Sequence, residues 1–233
     1  MTLDTEQVRI DSLARCPLFA SVPRPALATL ARQMRVRRFA RNEVIFHQGD
    51  QGDALYVITV GSVKILLPSA EGEEAIIATL RPGDFFGELA LVDREPRSAT
   101  AKALEPVETW QLPRDGFRAL LDADVGLRDA LLTALSGELR RLTGHVEELH
   151  FLDLAGRLAL RLVRLAEEAK PSGGSPITLD WPYTQSDLAG MIGGTRQSVN
   201  KLLGALEADG LVRIERDMLV IADLDRLAAR AER

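Results

Sequence analysis

Residues 185–203 have the sequence QSDLAGMIGGTRQSVNKLL, which is the most informative segment for the architecture of the C-terminal part of the chain. Apolar residues recur at helical spacing on both sides of Gly193 and Gly194, a pair that suits a tight turn between two helices. Just before it, Thr184 and Asp187 have the spacing of a capping box, which marks the start of a helix. The stretch therefore predicts a helix-turn-helix.

The second helix of this motif, predicted over 195–208, presents polar side chains that suit contact with DNA. In the major groove, arginine pairs with guanine, whereas glutamine or asparagine pairs with adenine. Two alternating apolar segments, 211–214 and 218–221, follow the helix and predict a β-hairpin, or wing. An ordinary helical hairpin with a solvated polar face is the alternative, and the wing favours DNA binding over it. The predicted DNA contacts are Gln185, Thr195, Arg196, Gln197, Ser198, Asn200 and Lys201.

A narrow apolar stripe lies upstream of this motif and predicts one long helix over 124–150. Its members are separated alternately by three and four residues, the heptad spacing of a helix that packs against another helix. Packing against its own domain is the alternative, and a homodimer is the simplest arrangement for a helix–helix seam. A second amphipathic helix, 153–170, follows and ends at the breaker PSGGSP, 171–176. The stripe consists of Leu132, Leu135, Leu139, Leu142, Val146 and Leu149.

Between about residues 35 and 113, short segments rich in Val, Ile and Leu alternate with glycine turns. Many short strands separated in this way are typical of a barrel or a jelly roll. The predicted strands are 36–39, 44–46, 54–60, 63–67, 75–80, 98–103 and 107–112.

Residues 82–100, PGDFFGELALVDREPRSAT, hold the candidate binding residues of this β-region. Gly87 opens a short helical turn whose backbone N–H groups can receive an anion. Arg97 offers a planar fork suited to two phosphate oxygens, and Ser98 adds a hydroxyl. The Glu88 carboxylate can accept from sugar hydroxyls. The set describes a nucleotide site, with a structural Glu88–Arg97 ion pair as the alternative.

Three separated motifs in this order resemble the cyclic AMP receptor protein and FNR superfamily of bacterial transcription regulators. They are GDFFGELALVDREPRSAT, the helix that runs into HFLDLAGRL, and QSDLAGMIGGTRQSVNKLL. The resemblance covers essentially the whole chain. It implies a cyclic nucleotide, most simply cAMP, as effector and a palindromic DNA operator bound by a homodimer. It also implies RNA polymerase as a partner.

The resemblance assigns roles to residues of the family's phosphate-binding segment. Glu88 would take the ribose 2′-OH, while Arg97 and Ser98 would take the cyclic phosphate. Where family members place polar residues that contact the adenine, this chain has Leu142 and Thr143, and only Thr143 can donate a hydrogen bond. The implied nucleotide-binding residues are Gly87, Glu88, Leu89, Ala90, Arg97, Ser98, Ala99, Leu142 and Thr143.

The recognition helix also departs from the family pattern. Members that bind a TGTGA half-site usually have Arg-Glu-Thr-Val, whereas this chain has Arg196-Gln197-Ser198-Val199. A glutamate accepts from a cytosine amine, whereas glutamine prefers an adenine edge. We therefore expect a half-site related to TGTGA but not identical with it.

Composition excludes several other classes of protein. The chain has 233 residues, one cysteine and three histidines, which leaves no basis for a disulfide framework or an iron–sulfur cluster. A jelly-roll metal enzyme needs clustered histidine and carboxylate ligands, and the β-region has only His47. The chain is therefore predicted not to be an enzyme and to hold no metal. No apolar run has the length of a membrane span, and the start lacks the features of a secretory signal, so we expect a cytoplasmic protein without membrane contact.

Together these observations predict an α+β protein in three parts. A cyclic-nucleotide-binding β jelly roll spans 1–123, a dimerisation helix 124–152, and a winged helix-turn-helix 153–233. The predicted function is a cAMP-responsive transcription regulator. The alternatives are the same regulator with another effector, such as cGMP or a haem-bound gas, and the same regulator without an effector. The net charge of −5 means that DNA binding must depend on local geometry rather than on bulk charge.

Overall fold

A computed structural model describes residues 2–169, 176–215 and 217–231. The chain forms two compact units. The N-terminal unit contains the chain up to Pro68 together with Ile77–Arg140, and the C-terminal unit contains Ser69–Ile76 together with the chain from Arg141 onward. The breaker at 171–176 and Lys170, the predicted end of the second amphipathic helix, lie outside the described residues, apart from Pro176.

Two four-stranded antiparallel sheets form the β-structure of the N-terminal part, with orders β1-β8-β3-β6 and β2-β7-β4-β5. All seven predicted strands are confirmed within two residues at their ends. The strands are β1 (Arg35–Phe39), β2 (Val44–Phe46), β3 (Ala54–Val60), β4 (Val63–Pro68), β5 (Glu74–Leu80), β6 (Phe85–Phe86), β7 (Thr100–Ala103) and β8 (Val107–Pro113).

Strand β3 is buried on both faces because it separates two cores. Tyr56 and Ile58 face the space between the sheets, where residues from both sheets pack together. Leu55 and Val57 point the other way, against helices that cover the outer face of the first sheet. Because alternate side chains of β3 meet two apolar surfaces, the strand has a continuous apolar sequence. The covering elements are α1 (Thr2–Arg15), a 3-10 turn (Pro17–Phe19), α2 (Arg24–Gln33) and α4 (Arg114–Ala123).

Helix α5 (Val125–Phe151) is the predicted long helix, and its apolar residues include a buried set and an exposed set. Leu127 and Leu131 are buried in the N-terminal core, and Leu135 packs against the same core. By contrast, Leu132 is 62% exposed and Leu139 66% exposed. The prediction that all six stripe residues form one seam is thus wrong for Leu135, because its side of the helix covers the first sheet. The exposed stripe residues are Leu132, Leu139, Val146 and Leu149.

The C-terminal unit is a winged helix-turn-helix, as predicted. A three-stranded antiparallel sheet of order β10-β11-β9 forms the wing. Leu188, Ile192, Val199 and Leu203 are buried between the helices, and Ala189 is buried where they cross. The elements are α6 (Leu154–Ala169), β9 (Ile177–Asp180), α7 (Gln185–Ile192), α8 (Arg196–Ala208), β10 (Val212–Glu215), β11 (Met218–Ile221) and α9 (Leu224–Ala231). None of the helices in the described parts of the chain is long and apolar enough to cross a bilayer.

Candidate functional site

Arg97 lies at the centre of the first candidate site, and its side chain is only 2% exposed. The guanidinium donates to the carbonyl oxygens of Gly87 (2.6 Å) and Ala54 (2.8 Å). Its carbon lies 4.2 Å from the centroid of the Phe46 ring. Among the described residues, no atom accepts a hydrogen bond from the buried Nε of Arg97. An unpaired buried donor is costly, and it is typical of a site that binds an acceptor.

The loop before β3 fixes the backbone of Arg97. The Arg97 N–H donates to the Asp50 carbonyl (2.8 Å), and the Gly49 N–H donates to the Arg97 carbonyl (2.9 Å). The backbone N–H of Gln48 donates to the Thr100 hydroxyl (2.9 Å). These bonds hold residues about fifty positions apart in one short ladder. The Arg97 side chain is thereby directed toward the interior.

Gly87 and Glu88 lie on the opposite side of the guanidinium, where α3 (Leu89–Val92) begins. Gly87 has φ of +83°, and a methyl group at this position would lie 2.5 Å from Arg97 Nη1. Both the backbone conformation and the close approach therefore require glycine. Glu88 occupies the N-cap position of α3 without a side-chain cap hydrogen bond and is half-buried. Burial raises the pKa of the Glu88 carboxyl, and the negative charge of Glu138 adds to this shift. A hydrogen bond from the backbone N–H of Glu88 and the positive charge of Arg97 oppose it.

Burial and nearby charged groups act in opposite directions on the charged form of Arg97. Burial lowers the pKa of the Arg97 guanidinium, and Tyr56, Asp53 and Glu88 oppose this shift. Arginine still keeps its charge at neutral pH. The Asp53 carboxylate oxygen Oδ1 lies 3.7 Å from Nη2 of Arg97, and the Asp53 side chain is largely exposed. The site thus presents a buried cation with a weak, solvent-facing counter-ion, which favours binding of a small anion.

Two further arginines hold α3 in place from the side of α4. Arg114 Nη2 donates to the Ala90 carbonyl (3.2 Å) and its guanidinium also donates to the Gly52 carbonyl. Arg118 Nη1 donates to the carbonyls of Leu91 (3.0 Å) and Val92 (3.2 Å) at the end of α3. A helix of four residues has no internal partner for these last carbonyls, so the arginines satisfy them.

The structure brings together seven of the nine residues predicted to bind nucleotide. All seven lie in the N-terminal unit, around Arg97 and α3; Leu89 and Ser98 are exposed, whereas Ala90 and Ala99 are buried. The other two, Leu142 and Thr143, lie on α5 within the C-terminal unit, and their contact with a nucleotide stays a prediction. The seven are Gly87, Glu88, Leu89, Ala90, Arg97, Ser98 and Ala99.

An aromatic cluster beside Arg97 was missed by the sequence reasoning. The rings of Tyr56 and Phe86 are stacked with centroids 5.1 Å apart, and Phe46 lies 5.9 Å from Tyr56. The Arg97 guanidinium packs over Phe46 as a cation–π contact. These aromatic residues come from three strands. Pairing of β3 with β6 brings Tyr56 next to Phe86, and packing of the two sheets against each other adds Phe46.

The second candidate site is the exposed face of α8. Thr195 caps this helix by accepting from the Ser198 N–H (3.1 Å). Gln185 Nε2 donates to Asn200 Oδ1 (3.1 Å), which holds the Asn200 amide at the surface with its own donors available. Of the seven residues predicted to contact DNA, Gln185 and Ser198 are half-buried. The exposed ones are Thr195, Arg196, Gln197, Asn200 and Lys201.

The capping box of α7 is complete and leads to a prediction on stability. Thr184 Oγ1 accepts from the Asp187 N–H (3.1 Å), and Asp187 Oδ2 accepts from the Thr184 N–H (2.8 Å). We expect Thr184→Ala to lower the free energy of unfolding of the C-terminal unit by about 1 kcal/mol, because one helical N–H and the buried Asp187 each lose a partner. Urea denaturation followed by tryptophan fluorescence measures this change.

Thr29→Ala is the matched control for that substitution. The Thr29 hydroxyl donates only to the carbonyl of Pro25 (3.2 Å) on an exposed helix surface. Its loss is expected to change stability by less than about 0.5 kcal/mol. Equal effects of the two substitutions would contradict a special role of the capping box.

The residues of these sites do not form a metal centre. In the described ranges, no three or more His, Cys, Asp or Glu side chains are grouped so that they could hold a metal ion. The single cysteine, Cys16, is buried, and burial raises the pKa of its thiol to about 11. A thiol with this pKa is almost fully protonated at neutral pH and is a poor redox sensor.

Comparison with known protein families places both candidate sites inside recognised domains. Residues 36–124 match the cyclic nucleotide-binding domain, and residues 156–230 match the Crp-like helix-turn-helix domain. The first match contains the loop, Arg97 and α3, and the second contains α7, α8 and the wing.

Individual relatives agree with these domain matches over nearly the whole chain. A CRP-like cAMP-activated global transcriptional regulator of Mycobacterium tuberculosis is 33% identical over 219 residues, 94% of this chain and 98% of the relative. The regulator Vfr of Pseudomonas aeruginosa is 32% identical over 79% of this chain and 88% of its own length.

Solved structures show the same fold. A CRP/FNR-family transcriptional regulator from Thermus thermophilus has a TM-score of 0.69 and 28% identity, over 85% of this chain and 99% of that one. FixK2 from Bradyrhizobium japonicum has a TM-score of 0.75 and 21% identity, over 84% and 96%. With an N-terminal cyclic nucleotide-binding domain and a C-terminal Crp-like helix-turn-helix, the chain belongs to the CRP/FNR family of transcription regulators.

Proposed function

We propose that this regulator binds cAMP at Arg97 and, as a homodimer, binds a palindromic operator through two copies of α8. The observation that supports the effector site most directly is the buried guanidinium of Arg97, with its unpaired Nε. A cyclic phosphate supplies acceptor oxygens and a single negative charge, which is what this group lacks. The M. tuberculosis relative, described as cAMP-activated, supports cAMP over other anions.

The residues around Arg97 fit the parts of a cyclic nucleotide. Ser98 is exposed beside Arg97 and adds a hydroxyl donor for the phosphate. Glu88, at the N-cap position of α3, carries a carboxylate that can accept from the ribose 2′-OH, a contact that a simple inorganic anion does not make. Thr143 supplies the hydroxyl for the purine. In a dimer this hydroxyl would come from either subunit.

The exposed apolar row on α5 supports the homodimer. Leu132, Leu139 and Val146 are separated by seven residues and are 62%, 66% and 55% exposed. Three large apolar side chains in a heptad row on one helix would be costly in water, and a second copy of the helix covers them with the same row. A two-fold dimer in turn requires an operator with two-fold symmetry, with half-site centres about one helical turn apart.

On the DNA, Arg196, Gln197 and Asn200 are proposed to contact base edges, and Lys201 a phosphate. The Gln185–Asn200 hydrogen bond orients Asn200 for an adenine, because its amide N–H donors remain free to bond. The half-site then resembles TGTGA with a change at the position facing Gln197. As a transcription regulator the dimer would act with RNA polymerase, in the cytoplasm.

Three alternatives to cAMP remain: cGMP, a haem-bound gas, and no effector. cGMP shares the ribose and cyclic phosphate, and Leu142 removes one polar contact that would select adenine. A haem-bound gas would need a histidine ligand, and a pocket without any effector would leave DNA binding constitutive. Titration calorimetry of the full chain with cAMP and with cGMP tests each nucleotide directly. A Soret band in the absorption spectrum of the purified protein would reveal haem.

Linkage provides a test of the switch itself. If cAMP strengthens operator binding, operator DNA must strengthen cAMP binding by the same factor, because the two affinities share one thermodynamic cycle. We expect a coupling of about 5- to 150-fold, the usual range for allosteric sites. Calorimetry of cAMP with and without a duplex selected by this protein measures it. Equal cAMP affinities in both titrations would reject the switch, even with tight binding of the nucleotide.

A further inference from the structure

We infer that Leu154 is a positioning residue for the recognition helix α8, because its side chain seats the turn of the helix-turn-helix at Gly194. Leu149, at the end of α5, supports the same turn at Gly193. DNA affinity therefore depends on two leucines that lie outside the DNA-contacting face. The inference concerns DNA binding and holds whichever effector the protein takes.

The two glycines of the turn have different reasons to be glycine. Gly193 ends α7 in the left-handed region, with φ of +67°, so its backbone conformation requires glycine. Gly194 is not among the residues with positive φ, so an ordinary residue would suit its backbone. A methyl group at Gly194, however, would lie 2.8 Å from Leu154 Cδ1 and 3.2 Å from Cδ2. A side chain at position 194 would therefore require Leu154 or the turn to shift.

The turn is contacted from both sides of the break between α5 and α6. Helix α5 ends at Phe151 and α6 begins at Leu154, its first residue. On the α5 side, a methyl group at Gly193 would lie 3.2 Å from Leu149 Cδ2. An ion pair between Glu148 and Arg164 (2.5 Å) ties the end of α5 to α6. All of these residues belong to the C-terminal unit.

These contacts act on α8 because the turn leads directly into it. Gly194 is followed by Thr195, the cap of α8, and by Arg196, its first residue. The Gly194 N–H also donates to the Ala189 carbonyl (3.0 Å), which fastens the turn to α7. Thr195 and Arg196 follow Gly194 directly, so a displacement of the turn away from Leu154 moves the start of α8 with it. Base contacts at that end of the helix would then be lost.

A double-mutant cycle on the full-length protein tests this inference. The probe is a palindromic duplex that the wild-type protein selects from a random pool, in one selection with cAMP and in one without it. Binding of each variant to this duplex is measured by fluorescence anisotropy. We expect Gly194→Ala to weaken duplex binding about threefold to fivefold, because its methyl group would lie 2.8 Å from Leu154 Cδ1 and either the leucine side chain or the turn must shift. Leu154→Ala is expected to weaken binding about threefold. In the Leu154→Ala background, Gly194→Ala should change affinity less than about twofold, since the clash is gone.

Two readouts separate this role from a general loss of structure or of effector binding. cAMP binding by calorimetry and the melting temperature of the C-terminal unit should stay close to wild type in both single variants. Equal weakening by Gly194→Ala in the two backgrounds would overturn the inference, because the effect would then come from the turn alone. If the Gly194→Ala chain does not fold, Leu154→Ala decides: unchanged duplex affinity at an unchanged melting temperature would also overturn it.

Discussion

Replacing Arg97 by alanine is expected to weaken cAMP binding by about 100-fold or more while the β-structure stays folded. A charge-assisted hydrogen bond contributes about 1.5–3 kcal/mol, and a phosphate left unpaired in a partly buried site costs more. The guanidinium supplies the buried positive charge that the structure places between α3 and the Ala54 carbonyl. Titration calorimetry of the full chain with cAMP measures the loss, and circular dichroism reports the fold.

Two control variants show which property of Arg97 matters. Arg97→Lys keeps the charge but lacks the planar fork, so we expect a smaller loss of affinity than with alanine. Ser98→Ala removes one exposed hydroxyl and should cost about tenfold or less. If Arg97→Ala binds cAMP with unchanged affinity, the role of Arg97 is to cross-link Gly87 and Ala54, and the nucleotide site lies elsewhere.

Introducing charge into the exposed row of α5 is expected to abolish both dimerisation and operator binding. In the double variant Leu139→Asp/Val146→Asp, two carboxylates would be buried against two symmetry-related ones, at a cost of several kcal/mol per ion. Light scattering should then give a mass near 25.5 kDa, that of one chain, instead of twice that value. Anisotropy should show no binding to the palindromic duplex, because one half-site alone gives too little affinity.

Val8→Asp is the matched control for the α5 substitutions. Val8 also lies on a helix and is 52% exposed, but it is not part of the heptad row. This variant should remain a dimer and bind the duplex as the wild type does. A wild-type protein that scatters as a monomer at micromolar concentration would contradict the dimer itself.

The β-structure was predictable because its strands are short runs rich in Val, Ile and Leu, separated by glycine turns. Two strands escaped prediction for local reasons. Phe85–Phe86 has two residues, too short for any alternation, and Ile177–Asp180 follows a breaker that suggested a loop. The N-terminal helices were not predicted, since nothing in residues 2–33 indicates which surface they cover.

The site was predictable only where its residues lie close together in the sequence. Gly87, Glu88 and Arg97 fall within one short segment of recognisable chemistry, and the structure gathers them as expected. Phe46 and Asp53 come from strands or loops some fifty residues earlier, and the register of antiparallel pairing brings them to Arg97. The heptad stripe had a similar limit, because spacing alone does not tell which leucine of α5 faces its own domain.

The two carbonyl bonds of Arg97 have a consequence for the thermodynamics of effector capture. A free arginine side chain loses about 2 kcal/mol of rotamer entropy when it is immobilised. Here Gly87, Ala54 and the Phe46 ring already hold the guanidinium, so an arriving anion meets a preorganised donor and does not incur that entropic cost. Substitutions that loosen this cradle, such as Phe46→Ala, should therefore act mainly by shortening the residence time of the bound nucleotide, with little change in its association rate.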